Sequence, residues 1–436
     1  MRVVLISTYD LGRQPFGLAS PAAWLRADGH AVTLADLSRA PLPTPAVKEA
    51  ELIAFFLPMH TAARLALPVI HRVRALNPAA SLCAYGLYAP LNREILRSAG
   101  VASIVGGEFE EPMRNLAAGA GPAGLVSLAR QQFLPPDRSG LPPLAAYAQL
   151  RVNGSQRRVG YTEASRGCKH LCRHCPVVPV YQGRFRIVQP EVVLEDIRRQ
   201  VAAGAQHITF GDPDFCNGPG HAVRLVEALH HEWPRLTYDV TIKIEHILQH
   251  RDLLPLLKKT GCLFVTSAVE SLDDTVLEKL AKGHTRAGFL EALGLMRAAG
   301  LALSPTFIPF TPWTTRESYG RLLRELADLD LVDHVASIQL AIRLLIPEGS
   351  LLLELPEIHG VIEPFDGRAL CYPWRSALDP LCGSILELIK DEERRRATRA
   401  EIFRSIWELA ENDAFPVEEQ RPALATIPYL TEPWYC

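Results

Sequence analysis

Short apolar runs alternate with amphipathic stretches through the first quarter of the chain. The runs at 3–7, 32–37, 52–57, 82–85 and 102–105 are too short for buried helices and are bounded by Gly, Pro, Asn or Asp, so they predict strands. Between them the spacing predicts helices at 21–27, at 62–76, from Asn92 and from Glu110. Strict alternation of this kind implies a parallel sheet with helices on both faces, a Rossmann-like layer of about 115 residues. Ligands of such sheets sit at the carboxyl ends of the strands, here the loops 8–17, 58–61 and 86–90.

The alternation then breaks. Small residues fill 119–124, and Pro135, Pro136, Pro142 and Pro143 exclude a helix from 134–144. From Arg158 it resumes with longer units: strands are expected at 159–164, 207–211, 237–243, 263–268, 302–308 and 335–342. Helices are expected near 190–203, 221–232, 253–260, 273–281, 286–299 and 315–326. Six strand–helix units close only part of a TIM-like barrel, and catalytic groups then belong at the carboxyl ends of its strands. After Ser350 an acidic, proline-marked segment holds Cys371 and Cys382, and one long amphipathic helix is expected over 382–411, its charged run at 390–396 facing solvent. The predicted fold class is therefore α/β: a Rossmann-like domain (1–118), a proline-rich linker (119–157), a partial (β/α)6 barrel (158–350) and a mainly helical C-terminal extension (351–436).

Composition changes this picture little. A chain of 436 residues with 48% hydrophobic and 22% charged positions is long enough for two or three domains of ordinary globular kind. A formal net charge of −2 and the lack of an extended basic patch give no reason to expect a nucleic-acid partner. Nine irregularly spaced cysteines argue against a secreted disulfide framework, so the expected compartment is cytoplasmic. The apolar run after Met1 is too short for a signal peptide, and no run approaches the roughly 20 residues that span a bilayer.

The chemistry concentrates in one stretch. Cys168, Cys172 and Cys175 form Cys-x-x-x-Cys-x-x-Cys, three thiols within eight residues. A loop this short can give one sulfur to each of three irons of a cubane and leave the fourth iron open. The competing reading is structural zinc, which needs four ligands; no second cysteine pair lies nearby, and only His170 or His174 could complete a tetrahedron.

This spacing, with the Ser165-Arg166-Gly167 lead-in, resembles the radical S-adenosylmethionine (SAM) superfamily. The resemblance implies a [4Fe-4S] cluster whose open iron chelates SAM, and reductive cleavage of SAM to a 5'-deoxyadenosyl radical. The family usually has an aromatic residue before the last cysteine to stack on the adenine; His174 stands there. The first layer, with its Val105-Gly106-Gly107-Glu108 step, resembles the cobalamin-binding domain that precedes the barrel in one class of these enzymes. There is no Asp-x-His-x-x-Gly motif, so a lower axial histidine is not expected; a Rossmann-like layer without corrinoid is the alternative.

The same resemblance marks further residues as SAM contacts. Asp212, after the second strand, is a candidate partner of the SAM ammonium, against a plain turn or cap role shared with Asp214. Glu270 begins a Glu-Ser step followed by the 280–285 stretch, against a helix cap before Asp273. Arg343 precedes a Pro-x-Gly-Ser turn at 347–350 and is placed near SAM. Trp313 and Tyr181 suggest a partly apolar cavity. The tail ending at Cys436 resembles a radical SAM group with Cys-selenocysteine-Ala-Glu-Pro tails, which marks Cys436 as a candidate catalytic thiol against a frayed terminus.

The resemblance thus implies cobalamin-dependent methylation of an unreactive carbon, on a small-molecule or peptide substrate, with an electron donor such as flavodoxin or ferredoxin. The alternatives are radical cyclisation or rearrangement without cobalamin, and a non-enzymatic metal-binding scaffold. A methylthiotransferase is disfavoured, since 1–118 holds only Cys83 and no basic RNA-binding barrel follows.

Overall fold

The computed structural model describes residues 1–121, 124–411, 413, 415 and 428–432. Its first sheet is wholly parallel, in the order Ala31–Asp36, Arg2–Ser7, Leu52–Phe56, Ser81–Tyr85, Ser103–Gly107, Val126–Ser127. The three strands at 52–56, 81–85 and 103–107 are almost entirely buried because helices cover both faces, which is why they read as continuous apolar runs. The order reverses between Arg2–Ser7 and Leu52–Phe56, so the loops after these two strands flank the crevice where such sheets bind ligands.

The second sheet runs Ala302–Phe307, Cys262–Glu270, Thr237–Thr241, His207–Phe210, Ser155–Thr162, all parallel, and is then extended by two antiparallel strands, Gln149–Val152 and Tyr429–Leu430. It is an open half-barrel, as the α/β reading expects. Its sixth position differs in detail. Residues 335–342 form no strand but a short helix, Ser337–Leu340, and the contact beyond it is a single parallel bridge between Phe310 and Arg343. The Gln339 side-chain oxygen accepts from the Phe307 amide at 3.1 Å, doing for the edge of the last strand what a sixth strand would have done.

Register fixes which side chains share a level in the barrel. Tyr161, Thr209 and Asp239 are neighbours across three strands. Thr241 pairs with Thr266, and Ala268 with Thr306, one and two levels nearer the carboxyl ends.

The C-terminal extension packs on the barrel through Ile385, Ile389, Ile402, Ile406 and Trp407. It holds two helices, Asp379–Arg394 and Arg399–Glu411, rather than the single one expected. Arg396, at φ +62°, ends the first, with the Ala397 and Arg396 amides returning to the Glu392 and Glu393 carbonyls at 3.0 Å. This is a Schellman closure built on arginine instead of glycine. No described helix is long and apolar enough to cross a membrane.

The two sheets meet around Arg166. Its guanidinium contacts both Glu110 oxygens at 2.9 and 2.6 Å, Glu163 at 2.7 Å and Glu108 at 3.4 Å, and lies 4.5 Å from the Phe109 ring centroid. Glu108 and Glu110 follow the fifth strand of the first sheet, whereas Arg166 and Glu163 belong to the approach to the cysteine loop, so this cluster clasps one layer to the other.

Candidate active site

The cysteine loop leaves the barrel through Ser165–Gly167, which pairs antiparallel with Phe185–Ile187. Gly167 has φ +76°, and a Cβ there would lie 2.3 Å from the Tyr181 ring, so the turn requires glycine. The Cys175 amide donates to the Cys172 carbonyl at 3.1 Å and the Val178 amide to Cys175 at 3.2 Å, leading into the helix Val177–Tyr181. Cys168, Cys172 and Cys175 are free thiols that line one cavity of about 400 Å³. Burial pushes the Cys168 thiol up to about 11 and that of Cys175 higher still, so a cation is needed to make both of them thiolates.

The donor set discriminates between metals. Three thiolates on one zinc ion stand about 3.8 Å apart, given Zn–S bonds of about 2.3 Å in a tetrahedron. The three sulfurs are not among the described groups gathered within 4.8 Å of one another, so the loop does not present the tight thiol set that one zinc ion takes. The two loop histidines are turned to other partners. His174 Nε2 lies 3.1 Å from Glu270, and His170 Nε2 lies 3.2 Å from His246, with its Nδ1 3.5 Å from Glu245.

Glu270 ends its strand at a bulge, where the register shifts between Ala268 and Glu270 and its own φ is +68°. This left-handed step, uncommon for a residue with a Cβ, aims the carboxylate across the barrel mouth. There it meets Lys282 at 3.3 Å and His174 at 3.1 Å, all three side chains largely buried. Burial alone would raise its pKa, but the Lys282 ammonium and the His174 hydrogen bond hold it down to about 2. Asp273, not Glu270, caps the following helix by accepting from Thr275. His284 is kept neutral by burial and by the Lys282 and Lys243 charges, which lower it to about 4.

Asp212 also lines the cavity, with one carboxylate oxygen accepting from Ser165 Oγ at 2.5 Å and the other from the Ala164 amide at 3.0 Å. Burial outweighs these two hydrogen bonds and pushes it up to about 7. Asp214 is a cap, accepting from the Cys216 amide at 2.9 Å, and its other oxygen lies 2.7 Å from His246 Nδ1. Arg343 reaches the cavity wall, but its guanidinium is engaged by Asp379, donates to the Trp374 carbonyl at 2.7 Å and stacks over the Trp374 ring at 4.1 Å. Tyr181 lines the cavity; Trp313 is not among its lining residues and packs instead against the barrel core, beneath Lys279. Cys436 lies outside the described residues, which end at Glu432; Leu430 is part of the cavity wall.

From the other side the cavity is closed by the first sheet. Leu11, Phe56, Met59, Leu87, Tyr88 and Phe109 stand at or just after its strand ends. His60, beside them, is committed through Nε2 to the Ala369 carbonyl at 2.6 Å. Several site groups escaped sequence reasoning. Lys282 sits in the 280–285 stretch that was singled out, but its pairing with Glu270 depends on the bulge. Asp10 and Arg13, also on the cavity wall, carried no signal beyond belonging to the first strand-end loop.

Residues 162–326 match the model of the radical SAM superfamily. Among curated proteins, the chain is 29% identical over 196 residues to a tRNA-2-methylthio-N(6)-dimethylallyladenosine synthase of Desulfosudis oleivorans, covering 40% of this chain and 38% of that protein. It is 27% identical over 151 residues to the hopanoid C-3 methylase of Methylococcus capsulatus, covering 35% of this chain and 29% of that protein. The matched region thus spans under half the length of either relative. Among solved structures, the radical SAM methyltransferase TsrM from Kitasatospora setae, with tryptophan substrate and aza-SAM bound, aligns with a TM-score of 0.67 at 16% identity over 89% of each chain. A second TsrM structure, with cobalamin and a [4Fe-4S] cluster, aligns at 0.60 with 16% identity over 76% of this chain and 73% of that one. At such identity the likeness concerns the fold, and it extends through both layers. The barrel that carries the cysteine triad, residues 162–326, belongs to the radical SAM superfamily.

Proposed function

We propose that this protein reductively cleaves SAM at a [4Fe-4S] cluster held by Cys168, Cys172 and Cys175, and methylates an unreactive carbon with a corrinoid held under the first sheet. The observation that carries the proposal is a single cavity bounded on one side by the three thiols and on the other by the strand-end loops of a Rossmann-like layer. Such a cluster with SAM supplies a primary carbon radical, and a corrinoid supplies a methyl group to the carbon that radical has activated.

The chain's own residues have separate tasks. Glu270, kept ionised by Lys282, accepts hydrogen bonds from the SAM ribose or ammonium, and His174 offers a flat edge to the adenine. Asp212, held by Ser165 and Ala164, fixes the lead-in to the cysteine loop and presents a carboxyl group to the SAM ammonium. Arg343, braced by Asp379 and Trp374, contributes positive charge at the cavity wall. Met59, Leu87, Tyr88 and Phe109 would line a broad, largely apolar ring, while His60 is engaged at Nε2 by the Ala369 carbonyl. The same enclosure keeps water from a reactive radical. Cys436 is proposed as a catalytic thiol on its place in the sequence alone. Reduced flavodoxin or ferredoxin is the proposed electron source.

The test is anaerobic reconstitution followed by SAM and dithionite. 5'-Deoxyadenosine is expected from the wild type and none from Cys172→Ala. Corrinoid absorbance retained after gel filtration supports methyl transfer, whereas cleavage without corrinoid binding supports cyclisation or rearrangement. A cluster that never cleaves SAM leaves only a scaffold.

A further inference from the structure

The floor of the cavity carries charge that the preceding roles leave unused. Arg13 reaches it from the first strand-end loop and lies with Cζ 4.5 Å from the centroid of the Tyr161 ring. Among the described residues its guanidinium has no carboxylate within 4.0 Å; it faces the Tyr161 hydroxyl and feels Asp10 and Asp239 only from beyond ion-pair distance, although Arg13 is only partly exposed. Tyr161 is level with Thr209 and Asp239 on the neighbouring strands, so Arg13 and Asp239 belong to the same storey of the barrel. One Asp239 oxygen is fixed by His207 Nε2 at 2.8 Å and Thr209 Oγ at 2.7 Å. Among the described residues the other oxygen has no hydrogen-bond partner. Asp10, 6% exposed, adds a carboxyl with no described side-chain partner, pushed up to about 7 by burial against the nearby Arg13 charge. Above this storey the wall is hydroxylated by Thr241, Thr266 and Thr306.

A half-buried guanidinium that meets the Tyr161 hydroxyl but no carboxylate at ion-pair distance, and an adjacent carboxylate with one oxygen unpaired among the described residues, constrain the occupant. A purely apolar molecule would strand both, at a cost of several kcal/mol for charged groups. A phosphate would satisfy Arg13 but face Asp239 and Asp10 with its own negative charge. A neutral polyol would offer the guanidinium no charge at ion-pair distance. A zwitterion answers each group: a carboxylate takes the planar fork of Arg13, and an ammonium donates to the free oxygen of Asp239 and to Asp10.

We infer that the substrate is a free α-amino acid, held on the barrel floor by its α-carboxylate at Arg13 and its α-ammonium at Asp239. This rests on the radical SAM reading and sharpens it. Four residues of strand, about 13 Å, separate the Asp239 level from that of Lys243 beside the cysteine loop, so the amino acid stands with its side chain toward the cluster. The reacting carbon then belongs to that side chain and not to Cα.

The test is thermal shift and calorimetry on the reconstituted holoenzyme with SAM, against each proteinogenic amino acid, its methyl ester and its N-acetyl derivative. At least one amino acid is expected to raise the unfolding midpoint, and both derivatives to bind at least tenfold more weakly. Arg13→Gln is expected to weaken the free amino acid at least tenfold while leaving the weak binding of the ester unaltered. Arg13→Lys, which keeps the charge but loses the fork, should lie between, and Asp239→Asn should weaken the free acid more than the N-acetyl form. The inference is overturned if no free amino acid binds, or if binding is indifferent to esterification or to Arg13→Gln. Formation of 5'-deoxyadenosine by the same wild-type preparation separates the two layers: with it, only the substrate assignment falls; without it, the enzymatic reading falls as well.

Discussion

Two arginines face the same cavity, each amid carboxylates, and they are built in opposite ways. Arg166 is 5% exposed and satisfied from three sides by Glu108, Glu110 and Glu163. Arg13 rests on an aromatic ring while the carboxyls nearest to it stand beyond ion-pair distance. Buried charge is tolerated when it is paired, so the first arrangement is complete as it stands and the second leaves room for a partner at ion-pair distance. The difference separates groups that hold the layers together from groups that wait for something to bind.

The largest way to break this contrast is Arg166→Met. It leaves three carboxylates in a dry interface with no counter-charge, and breaking a buried ion network in this manner costs about 4–5 kcal/mol. Chemical denaturation should show that loss together with early proteolysis in the 128–146 connection, because the clasp joins the layers on either side of it. A variant as stable as wild type would mean that the glutamates are solvated and the clasp is not structural.

Lys282→Met probes the mouth of the barrel and should cost less, about 3 kcal/mol, since the stranded Glu270 keeps His174 as a partner. SAM affinity should fall with it, because Glu270 then takes up a proton. Equilibrium unfolding and SAM titration on the same preparation check both effects. A loss of stability with unchanged SAM affinity would make Glu270 and Lys282 purely structural.

These pairings also show where sequence reading stops. The strand–helix alternation was legible because buried parallel strands are continuous apolar runs, and the triad because three cysteines in eight residues have few uses. The apolar look of 335–342 predicts a strand at Gln339; that its side chain takes over the Phe307 amide depends on tertiary placement. The sequence predicts helix through Arg396 because closure at positive φ usually announces itself with glycine or asparagine. Arg13 and Asp10 carry no signal in the sequence because their meaning lies in the cavity they border. Spacing along the chain carries no record of that.

The clasp should also impose a pH dependence. Glu108 is buried beside Glu110, and desolvation, only partly offset by Arg166, raises its pKa to about 7. A carboxyl raised in the folded state stabilises fully below its unfolded value, near 4.5, and that contribution is lost as pH rises through about 7. Stability should therefore fall by roughly 1–3 kcal/mol between pH 5 and 8 in protein free of cofactors. Asp10 and Asp212, also raised to about 7 by burial, act in the same direction. Glu108→Gln should therefore flatten part of the slope and not all of it; an unchanged slope would place the proton elsewhere.

The smallest effect is the most discriminating. Arg13→Met removes a charge that no described carboxylate meets at ion-pair distance and retains most of the apolar contact with Tyr161. In ligand-free protein the expected change in unfolding free energy is within about 1 kcal/mol, and its sign could favour the variant, because a poorly paired buried charge is itself a cost. Side by side with Arg166→Met, two substitutions of one residue type on one cavity should then differ by at least about 3 kcal/mol. Urea unfolding of both variants under identical conditions measures that difference. If Arg13→Met loses as much as Arg166→Met, Arg13 has a structural partner, the floor is already neutralised, and the case for a carboxylate ligand there disappears.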